Sequence, residues 1–525
     1  MKQKNNKKAS NTVQGKTGQS NNTDRTALEL NDNDAKNQLG FDDKPPKQDE
    51  LLIELALKKC TFFHDEQGEA YAKIQIDNHT EIWDINSTEF KDWLTHQYWI
   101  KNKKGVKKSS HESALLTLRG MAVFEGKSEE VYLRVAQIKN TIYIDICNKN
   151  WQVIEIDKKD WRIVNKPPVN FIRSKNMKSL HTPKAGDGNI NLLSKHLNVG
   201  TEDLTLVIGW LLMSMQAGSG ALPILIFQGP AGCGKTTVSR MLREIIDPNS
   251  ADLLSKPKTE DMRVIGVRNH VLAFDNLSGI HSNYSDTLCK ISTGDNQTIR
   301  RLHTTNDEFT ISIKKPILLN GIDEITSRND LLSRSIRIEL KKIKAFQPES
   351  RMWSNFIKDV PSILSALLDG ISCALANHHK INIKEVTRMG DFCRWSTAAG
   401  KMYQWKNDEF IKQYKRNIML SYVDSINASD FASAIVDMVN DQSDFKDTPK
   451  NLLTLLNKFS SIDMTLSSKG VVNKIFRCQD ALEALGIEID KCKDRANRTL
   501  ITIRANEKYC PQPQSNDEWL KAYNS

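Results

Sequence analysis

Apolar and polar positions change rhythm several times along this chain, and each change predicts a different kind of structure. Residues 1–50 have no rhythm: Asn, Lys, Gln, Asp, Thr and Ser dominate, and aromatic residues are almost absent. Such a segment buries too little surface to offset its ordering entropy and is expected to be a disordered polar tail. From 51 to 165, short alternating stretches (AYAKIQI, HTEIWDI, VYLRVAQI, TIYIDI, WQVIEI) predict the strands of a small, mostly antiparallel α+β domain. Helical patches at 87–98 and 112–121 interrupt it, with KNKKGVKKSS between them as a basic loop, solvated or in contact with phosphates. Residues 166–189, aperiodic and proline-bearing, read as a linker.

Between 190 and 345 helix and strand alternate in the α/β manner. A strongly apolar helix is expected at 202–216, N-capped by Thr201 and ended by Gly218 and Gly220. Strand 224–227 leads into a glycine-rich loop and a helix at 235–246. Then come strand 271–275, a hairpin at 297–313, strand 316–320, a short helix at 329–334 and strand 335–340. Residues 346–430 have helical periodicity, as in 354–377 and 408–425, and read as a helical lid. Residues 431–525 combine short helices, a longer one at 468–485 and the strand pair IEID…TLITIRA. Helices followed by a two-stranded wing make a winged-helix-like domain.

With 525 residues, about three domains are expected. The net charge of +10 weakly favours a polyanionic partner. Nine cysteines form no C-x-x-C pair and no zinc spacing, so they read as reduced thiols of a cytoplasmic protein. The N-terminal residues have no apolar run of the signal-peptide type, and residues 204–215 are about half of a membrane span. A buried helix, and no membrane, is the expectation.

The chemistry is concentrated in the central region. Gly229-Pro230-Ala231-Gly232-Cys233-Gly234-Lys235-Thr236, followed by Thr237, matches G-x-x-x-x-G-K-[ST] between a predicted strand and a predicted helix. In that context backbone N–H groups and a helix N-terminus cradle phosphates. Lys235 is expected on the β- and γ-phosphates of ATP and Thr236 on Mg²⁺. The apolar strand NHVLAFDN ends in Asp275, a second Mg²⁺ holder. Asn276 follows where many such ATPases carry a glutamate, which leaves the general base unassigned. PILLNG ends in Asn320, which either orients the attacking water or makes an ordinary Asn-Gly turn. SRNDLLSRSIRIEL offers Arg328, Arg334 and Arg337; of these Arg334, between short helix and strand, is the candidate to reach a neighbouring subunit's γ-phosphate.

Phosphate loop, Asp strand, basic hairpin, Asn strand and arginine, in this order, resemble the AAA+ ATPases. The segment CKISTGDNQTIRRLHTTNDEFTISIKKPILLNG is similar to the extra box of superfamily III helicases. Its Thr-Gly-Gly-Asp and downstream arginine fall here on Thr293-Gly294-Asp295 and Arg301, with one glycine missing. The wider span LLMSMQAG…GPAGCGKTT…VLAFDNLSGI…LLNGID…RNDLLSRSIRIEL resembles ATPases of phages, plasmids and genomic islands, of the phage-related primase–helicase type. The resemblance implies an α/β P-loop motor at 190–345 working as an oligomer, a hexameric ring. It also implies a hairpin that grips single-stranded DNA in the channel, here with Arg300, Arg301 and His303, followed by Lys314 and Lys315. In the C-terminal domain Lys474 and Arg477 would meet duplex DNA, or a protein instead. The expected function is an ATP-dependent DNA helicase or translocase for replication of a mobile element. The alternative is a regulatory ATPase that loads or remodels a protein partner without unwinding DNA. No clustered carboxylates or zinc ligands for a primase are found in 51–165.

Overall fold

The computed structural model describes residues 46–509 except 219, 295, 301–307, 322–328, 344–345, 384–387, 407, 443 and 508; for 296–300, 308–312 and 329 it describes the backbone alone. Most of the expected polar tail therefore lies outside the described residues, and its last three residues already belong to a helix.

That helix, α1 (Gln48–Lys59), opens an N-terminal unit. Strands β1 (Cys60–His64), β2 (Ala70–Ile76) and β3 (His79–Asp84) follow, then α2 (Thr88–Asn102), α3 (Lys108–Phe124) and the short β4 (Lys127–Ser128). The sheet order is β3-β2-β1-β4. Leu52, Ala56, Ile74, Phe90, Leu94 and Leu118 make its core, fully buried at helical or alternate-strand spacing. The expected basic loop is mostly helix ends: α2 runs on to Asn102 and α3 starts at Lys108, so only 103–107 form the turn.

The strands of the domain expected over 51–165 fall in more than one sheet. Strands β5 (Val131–Tyr132), β6 (Val135–Ile138), β7 (Thr141–Asp145), β8 (Val153–Ile156), β9 (Trp161–Val164) and β10 (Asn170–Phe171) come next, with β6 to β9 paired in sequence order as an antiparallel meander. Ile142, Ile144, Ile154 and Ile156 on one of its faces belong to the same core as the central region. The alternating pattern was legible, but not which neighbour would cover the apolar face. The expected linker is likewise tied down: β10 pairs with β5, Lys178 N–H donates to Pro248, and Leu180 is buried.

After α4 (Leu193–His196), α5 (Thr201–Ser214) runs through the core, its last ten residues buried. Its cap is Gly200, and Thr201 is its first residue rather than its cap. Strand β11 (Ile224–Gln228), α6 (Lys235–Ile246), α7 (Asp261–Arg268), β12 (Leu272–Phe274) and α8 (Ser282–Thr293) follow. Next are hairpin strands β13 (Asn296–Arg300) and β14 (Glu308–Ser312), then β15 (Ile317–Asn320), α9 (Asn329–Leu332) and β16 (Ser335–Glu339). The main sheet is ordered β12-β15-β11-β16 and every pairing in it is parallel. Strands covered on both faces must be apolar throughout, which is why ILIF, LAF and ILL read as unbroken runs.

Helices α10 (Glu349–Asn377), α11 (Gly390–Gly400) and α12 (Glu409–Asn427) cover the sheet region. Helix α10 with its 3-10 extension is, among the described residues, the one helix long and apolar enough to cross a membrane, and 67% of its most apolar window is buried. Helix α12 joins two cores: Phe410 and Tyr414 belong to the central one, Met419, Val423 and Ile426 to the C-terminal one. The C-terminal region holds α13 (Asp430–Gln442), β17 (Asp444–Asp447), α14 (Pro449–Leu456), α15 (Ser468–Ala484), β18 (Ile487–Lys493) and β19 (Thr499–Ala505). The expected two-stranded wing is three-stranded, β17-β19-β18; DFKD carries no apolar alternation that would announce β17.

Candidate functional site

Parallel pairing places Ile224 of β11 opposite Ile317 of β15 and Ser335 of β16, so the C-terminal ends of these strands open on one edge of the sheet. The glycine-rich loop leaves β11 at this edge. Gly229 has φ +139°, and a Cβ there would lie 2.5 Å from the Leu340 carbonyl oxygen, so only glycine lets the chain pass β16 so closely. The loop ends at Gly234 (φ +89°), which caps α6 without any side-chain oxygen, and the first turn of α6 has no acidic residue. A helix N-terminus left in this state concentrates unpaired N–H groups and partial positive charge. Pro230, Ala231, Gly232 and Thr236 are exposed, Thr237 is half-buried, and Cys233 is buried in the core.

Lys235 is the first residue of α6, and its ammonium donates to the Gly229 carbonyl at 2.6 Å and the Pro230 carbonyl at 3.0 Å. The Thr236 hydroxyl donates to Asp275 Oδ1 at 3.0 Å. Asp275 follows β12, which is separated from β11 by β15, so this contact reaches across the strand that carries Asn320. Asn320 is 1% exposed. Its Oδ1 accepts the Asn276 N–H at 2.9 Å and its Nδ2 donates to Ser239 Oγ on α6 at 3.1 Å. Its amide thus ties the turn after Asp275 to α6, a structural role beside the water-orienting one expected. Asn276 sits at φ +54°, a conformation Asn tolerates better than most side chains. Oxygen ligands from Thr236 and Asp275, beside an ammonium and an uncapped helix N-terminus, chemically suit a hard cation with a polyanion.

Arg334 lies at the other edge of the same sheet. Its carbonyl accepts the Ile224 N–H at 2.9 Å, at the start of β11, while the loop leaves β11 at its far end. Its guanidinium is held by Asp330, whose carboxylate also takes a hydrogen bond from Arg388 at 2.9 Å. Burial pushes the Asp330 carboxyl up, but the two arginines outweigh it and keep it below the usual carboxylate range. Arg337 is engaged within the chain, by Gln228 at 2.9 Å and Asp424 at 3.2 Å. Arg328 lies outside the described residues.

The basic positions expected on DNA are distributed unevenly. Arg301 and His303 lie outside the described residues, and Arg300 is placed only by its backbone, opposite Glu308 in the antiparallel hairpin. Lys314 is corrected: its ammonium turns into the protein, onto the carbonyls of Gly218 and of Gly220 at 3.2 Å, and burial lowers its pKa. Burial also lowers Lys315, to about 8. The Lys314 ammonium is thereby engaged within the protein. Lys474 and Arg477 stand at exposed positions of α15, with the Lys474 ammonium 5.6 Å from the Phe431 ring centroid.

Several residues of this region escaped the sequence analysis. Asn198 ties the loop down, donating to the Cys233 carbonyl at 3.1 Å and the Lys341 carbonyl at 2.6 Å. Ile343 and Phe346 (74% exposed) flank Gly234 and Gly232 as an apolar border. Ser239 and Arg388 were also missed; isolated polar residues between elements carry no periodic signal.

Comparison with known proteins bears on the same regions. Residues 190–404 match the family model described as the actinomycete integrative conjugative element replication protein, and residues 431–516 match the C-terminal domain of the RepA of that element. No curated protein matches. Among solved structures, the apo C-terminal region of NrS-1 aligns at 13% identity and a TM-score of 0.40, over 88% of this chain and 100% of that one. JCV helicase with a substituted N-phenylacetamide compound bound aligns at 14% identity and a TM-score of 0.21, over 44% of this chain and 70% of that one. The two family models follow one another along the chain and together span more than half of it. Over residues 190–404 and 431–516 this chain is therefore similar, part for part, to a replication protein of the conjugative-element RepA kind.

Proposed function

We propose that the central region is a P-loop ATPase motor of the AAA+ type, close to superfamily III helicases. On this reading the chain works as an oligomeric, hexameric DNA helicase or translocase that replicates a mobile element. The observation that carries the reading is the meeting of Lys235, Thr236 and Asp275 at an uncapped helix N-terminus, with Thr236 and Asp275 3.0 Å apart.

ATP phosphates would lie along residues 229–237, with Lys235 exchanging its loop carbonyls for the β- and γ-oxygens. Thr236 and Asp275 would hold Mg²⁺, which when bound neutralises charge on the transferring phosphoryl group. Ile343 and Phe346 offer an apolar border for the base. Asn276 carries no basic atom, and its N–H is already donated to Asn320, so Asn320 fixes the backbone beside Asp275 as hydrolysis proceeds. Arg334, at the edge of the sheet away from its own loop, suits a neighbour's nucleotide better than its own. The hairpin would track one DNA strand through backbone charge, without base readout. The C-terminal region is read as a winged-helix-like domain that presents Lys474 and Arg477 to duplex DNA.

Lys235→Ala tests the phosphate site. Removal of the cation that offsets charge on the transferring group should abolish ATP hydrolysis while leaving the thermal unfolding transition unchanged. Near wild-type turnover in this variant would end the reading.

A further inference from the structure

The N-terminal unit holds a surface that the motor does not use. No acidic residue occurs between Asp92 and Glu112, while Lys101, Lys103, Lys104, Lys107 and Lys108 fall in that interval. Lys101 and Lys108 have loose carboxylate neighbours, Glu54 at 3.8 Å and Glu112 at 3.7 Å. Lys103, Lys104 and Lys107 are exposed and have no ion pair among the described residues. Immediately before them, Trp99 and Ile100 are each 50% exposed on α2, and the Lys103 ammonium lies 6.0 Å from the Trp99 ring centroid.

The turn is held in place. Gln48 of α1 donates to the Gly105 carbonyl at 3.0 Å and the Tyr98 hydroxyl at 3.1 Å, and its Oε1 accepts the Lys107 N–H at 2.8 Å. Lys103 ends α2 at φ +51°, a left-handed cap where glycine is the least strained choice. A lysine at such a position, on a turn fixed by the half-buried Gln48, presents its charge from a defined place.

We propose that the α2–α3 turn is a docking site for single-stranded DNA, with a base stacked on Trp99 and phosphates met by Lys103, Lys104 and Lys107. An exposed indole beside clustered cations matches the two things a single strand offers, an open base face and a backbone charge. A duplex keeps its base faces inside the stack and would leave Trp99 without a partner. An anionic bilayer needs a broad apolar face. The other strongly exposed apolar residues of α3, Leu116 and Phe124, lie about 12 and 24 Å further along that helix, taking 1.5 Å per residue. The site is independent of the ATPase reading, since none of its residues touches the 229–237 loop.

The test uses the full chain and a fluorescent oligothymidylate in a salt titration. Trp99→Ala should weaken binding about tenfold with the salt slope unchanged, and Trp99→Phe should restore most of the loss. The triple change Lys103→Ala, Lys104→Ala, Lys107→Ala should lower the slope of log K against log salt by about 2, at about 0.7 per phosphate contact. Basal ATP hydrolysis should be the same in all of them, and ultraviolet cross-linking of a bromodeoxyuridine oligonucleotide should label the peptide that contains Trp99. Unchanged affinity and slope in both the Trp99→Ala and the triple variant would overturn the proposal. So would variants that lose binding only to a duplex or to phosphatidylserine vesicles.

Discussion

Helix α6 ends in two charged sites of opposite character. At its N-terminus Lys235 and Thr236 lean on loop carbonyls and on one carboxylate, Asp275, beside exposed loop residues. At its C-terminus Arg243 and Asp247 are buried. Asp247 pairs with Arg134 of the β5–β6 segment at 3.1 Å and accepts the Val271 N–H at 3.1 Å, while Arg134 also donates to the carbonyls of Asp145 and Lys178, each at 3.0 Å. Burial pushes the Asp247 carboxyl up, but Arg134, His270 and Arg243 outweigh it and hold it below the usual range. The contrast separates two uses of charge. Partners that are buried and fixed fasten the meander to the central region; partners that are exposed can be exchanged for a ligand. A buried pair adds little net stability, yet removal of one member is costly because the other is left uncompensated.

If that contrast is right, mutations at the exposed sites should act on rate and those at the buried site on stability. After the loss expected of Lys235→Ala, the largest effect is expected from Arg334→Ala, away from α6 and only partly exposed, on the order of 10³–10⁵ in ATP turnover, as in systems where an arginine reaches a neighbour's nucleotide. Mixing this variant with wild type should depress activity more than dilution predicts. Strict proportionality in the mixing curve would place the arginine's action within its own chain. Arg134→Ala should instead leave the nucleotide site alone and destabilise the fold by about 3–5 kcal/mol, read as a shift of the denaturant midpoint. A midpoint within error of wild type would show that the meander is held by apolar contact alone.

The smallest effect concerns pH. Burial lowers the pKa of His270 to about 4 from its ordinary 6.5, although Asp247 pulls it the other way. Between those values the unfolded chain binds the proton and the folded one does not, so stability should fall as pH drops from 6.5 toward 4. The full loss from this residue is on the order of 3 kcal/mol, at about 1.4 kcal/mol per pKa unit. His270→Gln should flatten that slope in denaturation curves taken between pH 7 and 4.5. Below that range the lowered Asp247 carboxyl adds a further loss as it takes up its proton.

The exposed end of α6 was far more legible in the sequence than the buried one. Helix α6 falls at the expected residues because a glycine loop punctuates its start and its apolar face keeps helical spacing. Strands β11, β12 and β15 were announced by apolar runs, and Lys235, Thr236 and Asp275 by their places at element ends. Arg134 and Asp247 were silent, since an ion pair between residues 113 positions apart leaves no local pattern. For the same reason the meander was assigned to the N-terminal domain, and Lys314 was read as an outward charge when it holds the carbonyls of Gly218 and Gly220. Side-chain type gives the chemistry available, and the tertiary neighbour decides whether it is spent inside the fold.

The central claim is most directly tested by phosphate release from ATP, measured on the wild-type chain with Mg²⁺ or a chelator, and with or without single-stranded DNA. The account predicts Mg²⁺-dependent hydrolysis that rises several-fold when single-stranded DNA is added. Hydrolysis indifferent to DNA but raised by a protein partner would replace the helicase with a remodelling ATPase. The absence of Mg²⁺-dependent hydrolysis under all of these conditions would contradict the account at its root.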